Sequence, residues 1–384
     1  MMLRKFFALL ITGLLGLGIG FSAWAQSNDD ASSGPMAVLE EIKNSYIIIF
    51  KENVPANEVA MQAHSMASAH GASMRHVYTK AVRGFSAHMS AQAAMRLADH
   101  NRVAYVEKDG LVSMIGKPVN TNAKPGPAPQ STPWGISRVG GPVDGTGLTA
   151  WIIDSGIDLD HSDLNVDVAR SANFVARGRN SPDDGNGHGT HVAGTVAALD
   201  NSQDVVGVAP GASVVAVRVL DNGGSGSISG VVAGVDYVAA NAAPGDAANM
   251  SLGATGHFQS LHDAVLNASA QGILFSLAAG NSAEDANNHE PAHVNGANVT
   301  TVSAIDINDV FASFSNFGNP PVDFAAPGVS ILSTKKGGGT TTFSGTSMAA
   351  PHVAGLLLLF GMPATNGFAI GDPDGNPDPI AHTP

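Results

Sequence analysis

Cysteine is absent from all 384 residues. That excludes thiol nucleophiles, thiolate metal sites and disulfides, so an exported protein of this sequence must take rigidity from its core or from bound ions. Basic residues are scarce, with 19 Lys and Arg against 32 Asp and Glu, a formal net charge of −13. That balance argues against nucleic acid and anionic membrane as partners, and it suits solubility and cation binding. After the N-terminus no apolar run is long enough to span a bilayer; Leu356 to Phe360 reads as part of a buried helix. What is present is 44% apolar residues with moderate charge, the composition of a globular protein with a sizeable core. A chain of this length is expected to hold two or three segments.

The first segment carries Arg4 and Lys5, an apolar run from Phe6 to Phe21, and then Ala23-Trp24-Ala25. This is the order of a secretory signal peptide, so residues 1–25 are expected to be removed after Ala25 and the product to be secreted, extracellular or periplasmic, without stable membrane association. Residues 26–44 are small and polar and read as a disordered lead-in. From 45 to 115 the pattern is that of a small α+β unit. Tyr46 to Phe50 reads as a strand, Asn57 to His70 as a helix and Val77 to Met89 as extended segments around Gly84. Ser90 caps a second helix to Asp99, Val103 to Val106 closes the unit as a strand, and Leu111 to Met114 is expected to continue it. Residues 116–130 hold four prolines and two glycines, an exposed linker suited to proteolytic nicking and therefore to a maturation site.

Residues 131–361 change grammar. Apolar strands such as Leu148 to Ile153, Val214 to Leu220, Ala248 to Leu252, Ile273 to Ala278 and Val299 to Ala304 alternate with helical stretches. The expected fold class is α/β, a three-layer parallel sheet with helices on both faces. Function in such sheets collects at the carboxyl ends of the strands, where Asp154, Ser251 and Asn281 all stand. Residues 362–384, rich in Pro, Gly, Asp and Asn, read as an irregular tail.

Four short segments carry the chemistry. Asp154 ends the strand Ile152-Ile153-Asp154-Ser155-Gly156. His188 stands in Gly187-His188-Gly189-Thr190-His191, ahead of small residues that permit close helix packing. Asn281 follows Ala278-Ala279-Gly280, and Ser347 stands in Gly345-Thr346-Ser347-Met348-Ala349-Ala350-Pro351-His352 at a helix start. A serine hydroxyl needs a base to become a nucleophile, a histidine has the pKa for that task, and a carboxylate fixes the histidine tautomer. A lone serine here would read as a helix cap and a lone Gly-Asn as a turn. Together, in the order Asp, His, Ser, these segments resemble the subtilisin-like serine proteases, leaning to the proteinase K-like side through Pro133-Trp134-Gly135 and Ser313 to Gly318.

The resemblance implies a secreted serine endopeptidase acting through an acyl-enzyme. Ser347 is the implied nucleophile, His188 the proton carrier, Asp154 its orienting partner and Asn281 the oxyanion donor. It implies that residues 45–115 are an inhibitory propeptide, an intramolecular partner that makes the chain a self-inhibited zymogen, and that the enzyme is a monomer acting on polypeptides. Ser251, Leu252 and Gly253 on one side and Gly224, Ser225 and Gly226 on the other match the strands that hold substrate backbone. It implies structural Ca2+, with Asp163, Asn201, Gln130, Leu199, Gln203 and Val205 as ligand candidates; Asp204 departs from the small residue expected there, and Asp323 is a candidate for a second site. His289-Glu290-Pro291-Ala292-His293 fits the zinc-protease pattern H-E-x-x-H, but that pattern needs a helix and Pro291 would break it. Rival readings are a non-catalytic binding protein on the same scaffold and an inactive truncated product, since the tail lacks the helices such proteases usually add.

Overall fold

The computed structural model describes residues 33–118 and 128–384. The signal-peptide segment, the first part of the lead-in and residues 119–127 of the linker lie outside the described residues. In the N-terminal part the elements are α1 (Pro35–Ile42), β1 (Ser45–Phe50), α2 (Val59–Ala69), β2 (Ser73–Tyr78), β3 (Gly84–His88), α3 (Ala91–Ala98) and β4 (Val103–Lys108). Two short strands follow, β5 (Leu111–Met114) and β6 (Lys117–Pro118). Next come α4 (Trp134–Arg138), β7 (Thr149–Asp154), β8 (Ala172–Asn173), α5 (His188–Ala197), β9 (Ser213–Arg218), β10 (Ser225–Ser227), α6 (Ile228–Asn241), β11 (Ala247–Met250) and β12 (Leu252–Thr255). The chain continues through α7 (Gln259–Ser269), β13 (Leu274–Ala278), β14 (His289–Glu290), β15 (Val299–Ile305), β16 (Val322–Pro327), β17 (Ile331–Thr334) and β18 (Thr340–Ser344). It closes with α8 (Thr346–Phe360), β19 (Ala364–Phe368) and β20 (Pro379–His382).

The main sheet has the order β19-β20-β16-β15-β13-β11-β7-β9-β8, parallel throughout except for β19. Strand β7 shows why it needs helices on both faces. Trp151 and Ile153 pack with Val231 and Val235 of α6 and Leu261 and Val265 of α7. Their neighbours Ala150 and Ile152 pack with Val192 and Val196 of α5 and with Met348 and Ala354 of α8. Side chains alternate across a strand, so a continuous apolar run is the signature of a sheet covered on both sides.

The same rule governs the N-terminal unit, a sheet of order β2-β3-β1-β4. Ile48 and Phe50 of β1 pack in its own core with Phe85, Met66 and Leu97. Ile47 and Ile49 point the other way and join Tyr78, Ala81 and Val82 in the cluster formed by α6 and α7. The run Tyr46 to Phe50 is apolar on both faces because one face belongs to a second body. Ser90 caps α3, its Oγ accepting the Ala93 N–H at 3.2 Å.

Three expectations are corrected. The lead-in is not wholly disordered: Pro35–Ile42 is helical, with Val38 and Ile42 buried one turn apart and the Gly34 N–H donating to Asp221 Oδ2 at 2.6 Å. Leu111–Met114 does not continue the sheet of the N-terminal unit; it pairs with β10 and β12 instead. The tail is not irregular throughout, since β19 and β20 form an antiparallel pair and β20 extends the main sheet beside β16. Ile380 and Ala381 supply the buried apolar pair that drives this docking, and Ser303 Oγ donates to the buried Asp378 at 2.5 Å. In α8, every residue from Thr346 to Leu358 is buried.

Candidate active site

Strands β11 and β13 run parallel to one another, with β7 on the other side of β11, and all three end on one edge. Asp154 closes β7, Ser251 follows β11, and Asn281 stands just past β13. Asp154 is fully buried, and its Oδ1 accepts the Ser155 N–H at 2.7 Å. Both of its oxygens face His188 Nδ1, at 2.8 and 3.0 Å. That contact makes Nδ1 the protonated nitrogen and leaves the lone pair on Nε2. His188 Nε2 is buried without a hydrogen-bond partner and faces Gly116, where an added Cβ would stand 2.8 Å away.

The start of α5, which carries His188, is held by a residue that the sequence reading missed. Asp184 is buried and accepts the N–H groups of Asn186 (2.9 Å), Gly187 (2.8 Å) and Thr190 (3.0 Å) and the hydroxyls of Ser155 and Thr190. A carboxylate on the exposed donors of a helix N-terminus is a cap, and an Asp a few residues before the helical run was the available signal. Gly189 completes the fit: a Cβ there would stand 2.1 Å from the Gly156 carbonyl oxygen. His191, next along the same helix, is buried and stacks on Phe343 at 4.6 Å, with Nε2 facing the Ile331 carbonyl.

Ser347 is the second residue of α8. Its Oγ donates to the Ser251 carbonyl at 3.1 Å, and Ser251 Oγ donates to the Ser347 carbonyl at 2.8 Å. Asn281 is oriented by Thr346: Oδ1 accepts both the Thr346 N–H (2.9 Å) and hydroxyl (3.0 Å). With Oδ1 engaged, Nδ2 is turned outward, and it donates to the Ile115 carbonyl oxygen at 2.7 Å.

The partner in that last bond belongs to the chain itself. Strand β5 lies between β10 and β12, antiparallel to both, with Ser113 opposite Ser225 and Gly253, and Met114 opposite Leu252. Met114 N–H donates to the Gly224 carbonyl at 2.9 Å and Ile115 N–H to the Ser251 carbonyl at 3.3 Å. Beyond Gly116 the backbone continues as β6, paired with Phe343 and Ser344 of β18. Residues 111–118 therefore run unbroken across the edge where Asp154, His188, Asn281 and Ser347 lie. A cavity of about 220 Å³ beside Ile115 is walled by Gly253, Ala254, Ala279, Gly280, His289 and Glu290.

The N-terminal unit is fastened by carboxylates as well as by its apolar face. Asp109 accepts the N–H and hydroxyl of Ser229 at the start of α6, and Glu107 accepts the N–H groups of Gln259 and Ser260 at the start of α7. Asp236 returns the favour, accepting the N–H groups of Thr79, Lys80 and Ala81. Burial pushes the Asp109 and Glu107 carboxyls up, and the serine donors pull them back. Each sits where a helix dipole favours negative charge.

The six calcium candidates also come together. Asn201 Nδ2 donates to Asp163 Oδ1 at 2.7 Å, the Val205 N–H faces Asp163 Oδ2 at 3.4 Å, and Leu199 N–H donates to the Asp163 carbonyl. Gln130 Oε1 accepts the Asn201 N–H, and Asn201 Oδ1 accepts the Gln203 N–H. Asp204 takes a positive φ of 56°, and its carbonyl accepts the Ser131 N–H. Asp323 lies apart, accepting the Thr301 N–H.

Comparison with known proteins gives the family. The model of the subtilase family matches residues 145–361, and that of the peptidase inhibitor I9 family matches residues 45–114. The chain is 36% identical over 396 residues to alkaline serine exoprotease A of Vibrio alginolyticus, covering 94% of this chain and 70% of that protein. It is 35% identical to the subtilisin-like serine protease AsES of Sarocladium strictum, covering 90% and 91%. The crystal structure of a cold adapted subtilisin-like serine proteinase matches with a TM-score of 0.58 at 38% identity, covering 65% of this chain and 98% of that one. The fold and these relatives define a serine peptidase. The chain belongs to the subtilase family, and it is a subtilisin-like serine endopeptidase preceded by an I9 propeptide.

The capping contacts make a prediction. Glu107→Ala and Asp109→Ala should each weaken the hold of the N-terminal unit by about fivefold, the usual cost of losing a helix cap. The check is the lag before peptidase activity appears in a freshly diluted preparation. A shorter lag in each variant is expected; a lag equal to the parent's would contradict the role.

Proposed function

We propose that this chain is the zymogen of a secreted serine endopeptidase that cleaves its own Ile115–Gly116 bond and then peptide bonds of other polypeptides. One observation carries the reading: the Ile115 carbonyl oxygen accepts the Asn281 amide at 2.7 Å while Gly116 lies against His188 Nε2. Secretion rests on the signal-like pattern of residues 1–25.

Ser347 Oγ would attack the Ile115 carbonyl carbon as His188 Nε2 takes the hydroxyl proton. Asp154 holds the imidazole tautomer and stabilises the imidazolium. The negative charge that develops on the Ile115 oxygen falls on a donor already in place, so little reorganisation is needed. His188 then gives its proton to the Gly116 nitrogen, which leaves as an amine. Water, deprotonated by His188, attacks the Ile115 ester and releases Ser347. Residues 224–226 and 251–253 pair with backbone alone, which suits substrates of varied sequence, and the cavity beside Ile115 takes the side chain preceding the cut. After cleavage, the apolar face of β1 and the Glu107 and Asp109 caps keep the N-terminal unit in the cleft as an inhibitor.

Calcium fits the cluster around Asp163. That carboxylate is fully buried, burial pushes it up to about 6, and its oxygens are met by the neutral donors of Asn201 and Val205. Gln130, Asn201 and Gln203 carry amide oxygens and Leu199 and Val205 backbone carbonyls, and oxygen ligands suit Ca2+. Bound there, the ion would offset the buried charge and tie the start of the catalytic part to the 199–205 loop.

Two outcomes test these readings. Ser347→Ala should leave the full chain uncut at concentrations too low for one molecule to cleave another, with no peptide hydrolysis; normal processing of that variant would overturn self-cleavage. Added calcium should raise the melting temperature of the parent and leave that of Asp163→Asn unchanged; an equal rise in both would remove calcium from this loop.

A further inference from the structure

Around β14, three histidines and a carboxylate converge. The H-E-x-x-H segment is not a helix. His289 and Glu290 form β14, paired with Thr255 and Ala254, and His289 Nε2 turns away to Glu284 Oε2 at 3.2 Å. The two histidines of the motif therefore share no ligand position, and the metalloprotease arrangement is absent. His293 instead meets His257 and His262, which that pattern never indicated.

The hydrogen bonds of this cluster do not close. His293 Nδ1 faces Glu290 Oε2 at 3.1 Å and the His289 carbonyl at 3.2 Å. The carbonyl can only accept, so Nδ1 carries the proton and Nε2 presents a lone pair. Two further ring nitrogens point at that one lone pair, His262 Nδ1 at 3.0 Å and His257 Nδ1 at 3.3 Å. A single lone pair accepts one good hydrogen bond, so the cluster brings more nitrogens together than protons can bridge. A tetrahedral ion with metal–nitrogen bonds of about 2.0–2.1 Å holds its ligands about 3.3 Å apart, close to the two spacings that His293 Nε2 makes with His257 and His262. Glu290 is fully buried, and its Oε1 has no hydrogen-bond partner. A carboxylate oxygen of Glu290 and one ring nitrogen each of His257 and His293 lie within 4.8 Å of one another. A carboxylate behind a histidine whose other nitrogen presents a lone pair is the usual support of a metal ligand. His257 is exposed, which gives an ion a way in.

We propose that His257, His262 and His293, backed by Glu290, form a site for a divalent transition-metal ion, zinc by its donor set. The ion would join three separate pieces of chain: the loop before α7, the first turns of α7 and the turn after β14. It would act as a staple in a protein that has no disulfide. Two of those pieces matter elsewhere, since β14 walls the cavity beside Ile115 and the start of α7 receives Glu107. The inference does not depend on Ser347 being a nucleophile, because its test reads metal binding.

The experiment uses the full chain carrying Ser347→Ala, which cannot digest itself, with calcium in excess to fill oxygen sites. Cobalt(II) is titrated and read by its visible absorption, and retained metal is counted by elemental analysis. One cobalt per chain with the strong bands of four-coordinate geometry is expected, displaced by one equivalent of zinc. Adding Glu290→Gln should weaken binding about 10–100-fold. Adding His257→Ala should weaken it by a similar factor, and His257→Ala with His262→Ala should abolish the bands. Because His257 is exposed, its single variant keeps the fold and remains readable even where the double variant does not. Failure of the parent to retain one ion, or an unchanged spectrum and affinity in His257→Ala, would overturn the proposal.

Discussion

The backbone of residues 111–118, laid as an extra strand across the edge of the parallel sheet, is the constraint on which the rest depends. A strand offers its N–H and C=O groups at fixed spacing, so pairing with β10 and β12 sets the register of every residue in it. That register brings the Ile115 carbonyl, and no other, to the Asn281 amide. Shifting it by one residue would turn the carbonyl away and exchange the buried and exposed side chains. The N-terminal unit and the catalytic sheet are thus aligned by a short pairing, and the larger apolar contact of β1 with α6 and α7 supplies adhesion.

Buried carboxylates do much of the fastening in this cysteine-free chain. Asp154, Asp184, Asp109 and Asp236 are all buried, and each accepts backbone N–H groups at a strand end, a helix start or a turn. Burying a charge is costly unless it is hydrogen-bonded, and these groups are bonded several times over. The acidic excess of the sequence is accordingly not only a solvated surface. Glu290 differs, because its Oε1 has no hydrogen-bond partner, and it backs the site where a transition-metal ion is inferred.

Much of this was legible in the sequence. The strands ending at Asp154, Met250 and Ala278 could be read because continuous apolar runs bounded by Gly and Asn are distinctive. The Ser90 cap could be read because its chemistry is local. The helix Pro35–Ile42 was missed although Met36, Ala37, Val38, Leu39 and Ile42 are apolar, because it is short, it follows a polar lead-in and its anchor Asp221 lies far along the chain. The tail strands were missed because Pro, Gly and Asp dominate their flanks; their pairing depends on the edge that β16 leaves open. Leu111–Met114 read correctly as a strand and wrongly as part of its own unit, because periodicity reports that a strand exists and not which sheet receives it. The meeting of His257 and His262 with His293 is likewise a product of tertiary structure.

The most direct test of the account is the identity of the first cut. The earliest product from freshly diluted full chain can be read by intact mass and N-terminal sequencing. Cleavage between Ile115 and Gly116, giving a fragment that begins at Gly116, is the predicted result. A first fragment beginning anywhere in residues 119–130 would mean that the strand across the sheet edge is not the substrate of its own site, and would contradict the account.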